Sequence, residues 1–352
     1  MSADPTLAAN YPPVLGLPEF SRRAAELILG RESSALVHNR VLGVQTPGCR
    51  AAIRLGAELL RSCYRGSAGW CGPVFLPSPF HDSLAPVFHA AGLRDLRSYR
   101  CWEAGRWEES EQQLLEDLEA APEQAVVLLS ATGQCPVTPD LSQDFWKRLT
   151  QLMERRHHFP FFLMLEQGLC RGDPELDAWP VRHCVSAGLE LLCAQSFSHS
   201  FGLYGERVGH LLLVLRHSAL VLPLQSQAEE AVRRLWSRPV ALGARVVAAV
   251  LGNLANRAER DGVRNVAERG AALRQQLQEK LRLLGAPGCW DHLTQQGGLY
   301  CHTGLTAEQV GFLAKKRHIY LLPTGRLNTT AMNSNNLDYV AESIYLVLTS
   351  SF

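Results

Sequence analysis

The chain carries no surplus of charge. Its 352 residues hold 35 Lys and Arg against 34 Asp and Glu, a formal net charge of +1, so no overall field draws it to nucleic acid or to anionic lipid. Long apolar runs are also missing. Stretches such as Val208 to Leu215 stop well short of the roughly 20 residues that cross a bilayer, and no basic, apolar, small-residue leader opens the sequence. The ten cysteines (Cys49, Cys63, Cys71, Cys101, Cys135, Cys170, Cys184, Cys193, Cys289, Cys301) include no C-x-x-C pair and no histidine at zinc-ligand spacing, which argues against a metal site and leaves free, mostly buried thiols. These absences predict a cytoplasmic protein with no metal, no membrane partner and no nucleic-acid partner.

With 46% hydrophobic residues, the chain can fill a large core, and its length points to about two domains. Met1 to Pro13 lack any periodic pattern and read as an extended N-terminal arm. Helical spacing of apolar residues marks Leu17 to Leu29, closed by Gly30, and Arg50 to Leu60. Short β-rich runs at Val74 to Leu76, Ala125 to Leu129, Phe159 to Leu165, Leu189 to Gln195 and Val208 to Leu215 alternate with amphipathic stretches such as Asp140 to Glu154. That alternation predicts an α/β fold around a mainly parallel sheet covered on both faces. A stripe of Val263, Val266, Leu273, Leu277, Leu281 and Leu284 marks one long, half-exposed helix. After it come a strand over Gly298 to His302, a helix over Thr306 to Lys316, a strand over Ile319 to Leu322 and a closing helix bearing Val340, Ile344 and Val347. The expected division is an arm (1–13), a large domain (14–262), and a linking helix with a small C-terminal α/β domain (263–352).

Spacing alone yields no phosphate loop, triad or metal site. The run Gly202-Leu203-Tyr204-Gly205-Glu206-Arg207-Val208-Gly209 adds more, because it is similar to the segment that follows the cofactor-binding lysine of aspartate aminotransferases. Tyr11 to Phe20, Val44-Gln45-Thr46, Asp177 to His183, Gly243-Ala244-Arg245 and Gly325-Arg326 resemble the same family in the same order, across essentially the whole chain. The chain resembles the cytosolic aspartate aminotransferases, closest to their glutamic-oxaloacetic transaminase-like branch, with the family's N-terminal segment missing before Tyr11. The resemblance implies fold type I of the pyridoxal-phosphate-dependent transferases, with a large seven-stranded-type sheet domain and a smaller C-terminal one. It also implies pyridoxal 5'-phosphate as cofactor and a homodimer with its site built across the two-fold.

Carried over residue by residue, the resemblance places His199 where the family has the lysine whose amine captures the cofactor aldehyde. No lysine occurs between Lys147 and Lys280. Leu163 stands where an aspartate keeps the pyridine nitrogen protonated, although by itself it reads as an ordinary core residue. Glu166 replaces a tyrosine, and Cys135 an asparagine, that donate to the cofactor's ring oxygen; without the resemblance they read as a solvated surface residue and a buried thiol. His81 replaces the aromatic residue stacked on the ring. The phosphate cup corresponds to Gly48-Cys49-Arg50 at a helix start, where Arg50 either adds a contact to an anion or fills the space. Ser196 and Arg207 match phosphate contacts, Tyr11 a contact from the neighbouring subunit, and Arg326 and Arg233 carboxylate clamps. Arg233 also reads as a surface ion-pairing residue.

Three readings follow. The first is a catalytically inactive relative, without covalent cofactor, that keeps anion or dicarboxylate binding or a dimeric scaffold role. In the second, the chain is an aspartate:2-oxoglutarate aminotransferase of amino-acid metabolism with residual activity, holding pyridoxal phosphate non-covalently with His199 as base. The third is a drifting gene product without a stable role.

Overall fold

The structure, a computed structural model, describes residues 11–66, 69–78, 81–101, 107–131, 142–253 and 257–350. The expected arm therefore lies outside the described residues except for Tyr11 to Pro13. The first half runs α1 (Pro18–Leu29), α2 (Ser34–Val37), β1 (Val41–Pro47), α3 (Cys49–Cys63), β2 (Val74–Ser78), α4 (His81–Ala90), β3 (Leu96–Arg100), α5 (Trp107–Glu119), β4 (Val126–Ser130), α6 (Gln143–Arg155) and β5 (Phe159–Met164). The chain continues through α7 (Pro174–Asp177), α8 (Trp179–Ser186), β6 (Leu191–Ser196), β7 (Val208–Val214), α9 (Val221–Leu235) and α10 (Ala241–Gly252). It ends with α11 (Arg257–Leu283), β8 (Tyr300–His302), α12 (Ala307–Arg317), β9 (Arg326–Asn328) and α13 (Leu337–Thr349).

Local chemistry fixes the helix ends. Pro18 opens α1, and Gly30, at φ 80°, closes it by donating its N–H to Glu26 O. Ser142 caps α6 through the Phe145 amide, and Thr306 with Gln309 forms a reciprocal capping box on α12.

The seven-stranded sheet has the order β1-β7-β6-β5-β4-β2-β3. Strands β2 to β6 are parallel to one another, while β7 runs antiparallel to both β1 and β6. One face is buried under α1, α6 and α8 through residues such as Phe145, Trp146 and Phe162; the other is buried under α3 and α4 through Ile53, Phe88 and Phe161. Burial on both faces explains the almost continuously apolar β4, β5 and β7. A separate core gathers Leu277, Leu281, Leu313 and Ile344 from α11, α12 and α13 around the β8–β9 pair.

The fold is the α/β arrangement expected from the sequence, with two corrections. Ile319 to Leu322 is not a strand: β8 pairs instead with Arg326–Asn328, and Leu322 closes a turn by donating to Arg326 O while Tyr320 is 78% exposed. The thiols are also less uniformly buried than expected. Cys101, Cys184, Cys193 and Cys301 are buried, Cys49, Cys63 and Cys170 partly so, and Cys71 and Cys289 exposed; the exposed two lie in loops with no core to join. Among the described residues no group of His, Cys, Asp and Glu could hold a metal, and no helix is long and apolar enough to cross a membrane.

Candidate functional site

Because β7 opposes β1 and β6, its amino end opens on the same sheet edge as the carboxyl ends of β1, β5 and β6. Gly48 follows β1, Leu163 and Glu166 lie at and just beyond the end of β5, Ser196 closes β6, and Arg207 immediately precedes β7. His199 sits in the turn after β6. The sheet topology thus assembles most of the residues singled out from the sequence.

One end of this edge is the candidate anion site. Gly209 pairs with Thr46 on one side and Ser196 on the other, and a Cβ there would come within 2.5 Å of the Gly48 carbonyl carbon. Only glycine lets β7 approach the start of α3 this closely. Gly48 caps α3 at φ 85°, and Arg207, held at φ 53°, brings Nε to 3.5 Å from where a Gly48 side chain would begin. Arg207 is exposed and makes no ion pair or hydrogen bond among the described residues. Ser196 Oγ accepts from the Ser198 amide at 3.3 Å, which leaves its own hydroxyl proton to donate. Helix-start amides, a guanidinium and a hydroxyl therefore lie at one end of the sheet edge, and groups of this kind suit an anion. Arg50 does not fill the cup. It is exposed and donates to Ser83 O in α4 at 3.3 Å, across the mouth. Burial pushes the Cys49 thiol up to about 12, against a smaller opposite pull from Arg50, so it stays protonated.

The other end is closed by the chain's own side chains. Leu163 is 4% exposed in β5, between Ser130 and Ala194, and offers only hydrocarbon. Glu166, which the resemblance places in the pocket and which by itself reads as solvated surface, is fully buried and accepts the Leu299 amide at 2.9 Å. That amide enters from just before β8 and stands in for water, which is why no local sequence signal could show the burial. His199 Nδ1 lies 3.4 Å from the Tyr204 hydroxyl, with the rings edge to face at 5.4 Å and the Tyr300 ring at 6.4 Å. Desolvation, followed by Tyr300 and Glu166, raises the Tyr204 phenol, so these groups share one environment. Arg326, 8% exposed, holds its guanidinium 4.8 Å from the Tyr300 ring centroid. Tyr204, Tyr300 and the Leu299 amide were not identified from the sequence as site groups, although Tyr204 lies within the resembling run itself.

Other candidates stay apart. Arg233 projects from α9, 61% exposed and paired with Glu229 at 3.2 Å, so within one protomer it takes the surface ion-pair role. Tyr11 is 83% exposed and lies beneath Arg238, whose guanidinium is 5.4 Å from its ring centroid and whose Nη1 donates to Pro12 O at 3.1 Å. His81 begins α4, with its side chain outside the described atoms, and Cys135 lies outside the described residues.

The profile of "Aminotransferase class I and II" matches residues 2–344. The chain belongs to this family. It is 43% identical to the cytoplasmic aspartate aminotransferase of Gallus gallus over 350 residues, 99% of this chain and 85% of that one. To the cytoplasmic aspartate aminotransferase of Caenorhabditis elegans it is 37% identical, over 97% and 83%. Among solved structures, a mitochondrial aspartate aminotransferase from Trypanosoma brucei matches with TM-score 0.89 at 32% identity, over 97% and 88% of the two chains. An aromatic-amino-acid aminotransferase from Burkholderia pseudomallei covalently bound to pyridoxal phosphate matches with TM-score 0.88 at 28% identity, over 98% and 86%. The aminotransferase fold, type I of the pyridoxal-phosphate-dependent enzymes, is therefore this chain's fold.

Pyridoxal phosphate is the cofactor the family implies, and the residues present fit it at one end only. The cradle of Gly48, Ser196 and Arg207 suits a phosphate. Among the described residues no lysine follows β5 or β6 before α11, Leu163 offers no charge to a pyridine nitrogen, and Glu166 Oε2 is already engaged by the Leu299 amide. The donor set is wrong for covalent capture and for ring chemistry.

Proposed function

We propose that this chain is a catalytically inactive aminotransferase relative: a cytoplasmic homodimer that binds phosphate-like anions and small dicarboxylates without turning them over. The observation that carries the reading is His199, seated against Tyr204 in the turn after β6 where an imine-forming amine would be needed, with no lysine from 148 to 279. Losing the amine, the ring-nitrogen carboxylate and the ring-oxygen donors together removes interdependent parts of one device, so repairing one does not restore the rest. The binding half of the site persists. Gly48, Ser196 and Arg207 hold the anion, with Cys49 and Arg50 at the helix start, and Arg326 faces the pocket across Tyr300 as a carboxylate clamp.

The cytoplasmic reading rests on relatives named as cytoplasmic aspartate aminotransferases, and the dimer reading on surface chemistry. Leu222, Val240, Leu242 and Val246 are exposed on α9, α10 and the loop between them, with Tyr11 exposed beside Arg238. Exposed apolar side chains such as Val240, Leu242 and Val246 suit an interaction surface, and isologous pairing is the commonest symmetry. In this arrangement Tyr11 and Arg233 serve the partner's pocket, which accounts for their outward pose. The chain divides, on this reading, into an arm (1–13), a large domain (14–262), and a linking helix with a small domain (263–352).

Incubation with pyridoxal phosphate, borohydride treatment and intact-mass measurement test the reading. No mass increase at the cofactor pocket is expected, while phosphate and succinate raise the thermal midpoint. A stoichiometric adduct there, or conversion of aspartate and 2-oxoglutarate at enzyme-like rates, overturns it. Sedimentation at micromolar concentration checks the dimer, and a monomer would count against that part.

A further inference from the structure

A run of ring contacts joins the His199 turn to Arg326. Strand β8 pairs with β9 so that Tyr300 lies opposite Asn328 and His302 opposite Arg326. Cys301 and Leu327, opposite each other between these pairs, enter the small core formed with α11, α12 and α13. Tyr300 and Arg326 therefore stand on the other face as diagonal neighbours, at a separation where long side chains still touch. There the Arg326 guanidinium carbon lies 4.8 Å from the Tyr300 ring centroid.

Such a contact orients the cation. Arginine has a long, flexible side chain, whereas a carboxylate takes its two parallel N–H bonds in the guanidinium plane and so needs the fork at a fixed angle. A ring against the guanidinium favours one position and reduces the freedom lost when a ligand binds. Tyr300 is itself held by few contacts. It is half-buried, and its hydroxyl makes no hydrogen bond among the described residues. Its second ring contact is with His199, edge to face at 6.4 Å and 79°.

His199 is the better anchored of these two rings. Its carbonyl accepts the Gly202 amide at 3.4 Å, its Nδ1 lies 3.4 Å from the Tyr204 hydroxyl, and the two rings meet edge to face at 5.4 Å. Edge-to-face pairs at such separations are favourable beyond the area they bury. The contacts thus run from Tyr204 through His199 and Tyr300 to Arg326.

We propose that His199 is a positioning residue for carboxylate recognition: its ring supports Tyr300, which in turn fixes the Arg326 guanidinium. The inference rests on the reading of Arg326 as a carboxylate clamp. It gives a binding role to the residue that stands where the resemblance implies an amine, since an alkyl ammonium offers Tyr300 no ring.

Succinate titrated into the full chain by calorimetry is the test, with inorganic phosphate as a second probe. Affinity for succinate should fall about tenfold in Tyr300→Ala, which removes the contact with the cation. In His199→Ala it should fall about threefold, the value of one edge-to-face pair. His199→Phe keeps a ring and should stay within about twofold of the parent. In the Tyr300→Ala background His199→Ala should have no further effect, because the residue through which it acts is gone. Circular dichroism and an unchanged phosphate affinity show that each variant is folded.

Unchanged succinate affinity in folded His199→Ala, with binding still lost in Arg326→Ala, overturns the proposal and leaves the clamp reading standing. Equal losses in His199→Phe and His199→Ala overturn it too, as does a further loss in the Tyr300→Ala background, because the imidazole would then act on the ligand directly. Absence of succinate binding in the parent, or undiminished binding in Arg326→Ala, overturns the clamp reading and this inference with it.

Discussion

The two ends of the site differ in what builds them. The anion end is mostly backbone: helix-start amides after Gly48, and a close approach of strands that Gly209 alone permits. The ring end is mostly side chain, and there His199, Leu163 and Glu166 depart from the residue types that the resemblance implies. Backbone recognition is tied to the fold and persists as long as the fold does; side-chain chemistry is lost one substitution at a time. On the proposed function, the shape and the phosphate-binding groups outlast the side chains that catalysis needs. Repairing the side-chain end and damaging the backbone end should have separate consequences.

Repair has the largest expected effect. His199→Lys should change covalent capture of pyridoxal phosphate from absent to near one per chain, read by intact mass after borohydride. Capture and turnover should then separate, because Leu163 still offers no carboxylate to the ring nitrogen. Adding Leu163→Asp should raise single-turnover conversion by aspartate more than it raises cofactor binding. If His199→Lys alone reached the rates of an ordinary aspartate aminotransferase, Leu163 would not be a catalytic lesion.

Next is the substitution that closes the pocket. Glu166→Ala removes the acceptor of the Leu299 amide and leaves a buried N–H, a loss of about 2–3 kcal/mol in urea unfolding. Glu166→Gln keeps an oxygen there and should lose less than half as much. Equal losses would mean that the carboxamide oxygen does not replace the carboxylate oxygen at that bond.

At the backbone end the expected effect is smaller. Arg207→Met should weaken phosphate binding about tenfold, the value of one charge-assisted contact, and leave succinate binding through Arg326 nearly intact. Residual phosphate binding in that variant is the mark of the α3 amides. Its complete loss would show that Arg207, rather than the backbone, makes the cradle.

How far this was legible in the sequence depended on distance along the chain. Helices with local stop signals were readable: Gly30 ends α1 and Thr306 starts α12. Strand β1 was missed because Gln45 and Thr46 interrupt its apolar pattern, although both are buried at 1% exposure. Gln45 is satisfied by the Leu17 amide and Val240 O, from far along the chain. Strand β3, LRSYR, reads as surface because it is the sheet's edge. In the site, residue identities came from the resemblance, but their engagement did not. Glu166 is buried by a partner 133 positions away, and the Tyr300 contacts with His199 and Arg326 likewise exist only once the C-terminal strands fold back.

The last and smallest effect concerns buried titrating groups beneath the site, which oppose one another. His210 is sealed in β7, its Nδ1 on Gln195 Oε1 at 2.7 Å and its ring 5.8 Å from Phe20, and burial drives it down to about 3. His302 is also driven to about 3, by burial first and Arg326 second. Below the ordinary 6.5, the unfolded chain therefore binds more protons at these histidines than the folded one, and stability falls as pH drops from 6.5 toward 3. Asp177 has the reverse sign. Burial raises it from 3.8 to about 6, against the Gly168 and Cys170 amides that it accepts. The folded chain then binds more protons there between pH 6 and 3.8, and stability rises as pH falls through that window. In the parent the carboxyl offsets part of the histidine loss. Asp177→Asn, which keeps an acceptor oxygen and removes the titration, should steepen the acid decline by about 1–2 kcal/mol between pH 6.5 and 4.5. The readout is the slope of urea-unfolding free energy against pH, so that any constant loss in the variant cancels. Parallel slopes would show that Asp177 titrates at its ordinary value, and that its two amide bonds compensate fully for its burial.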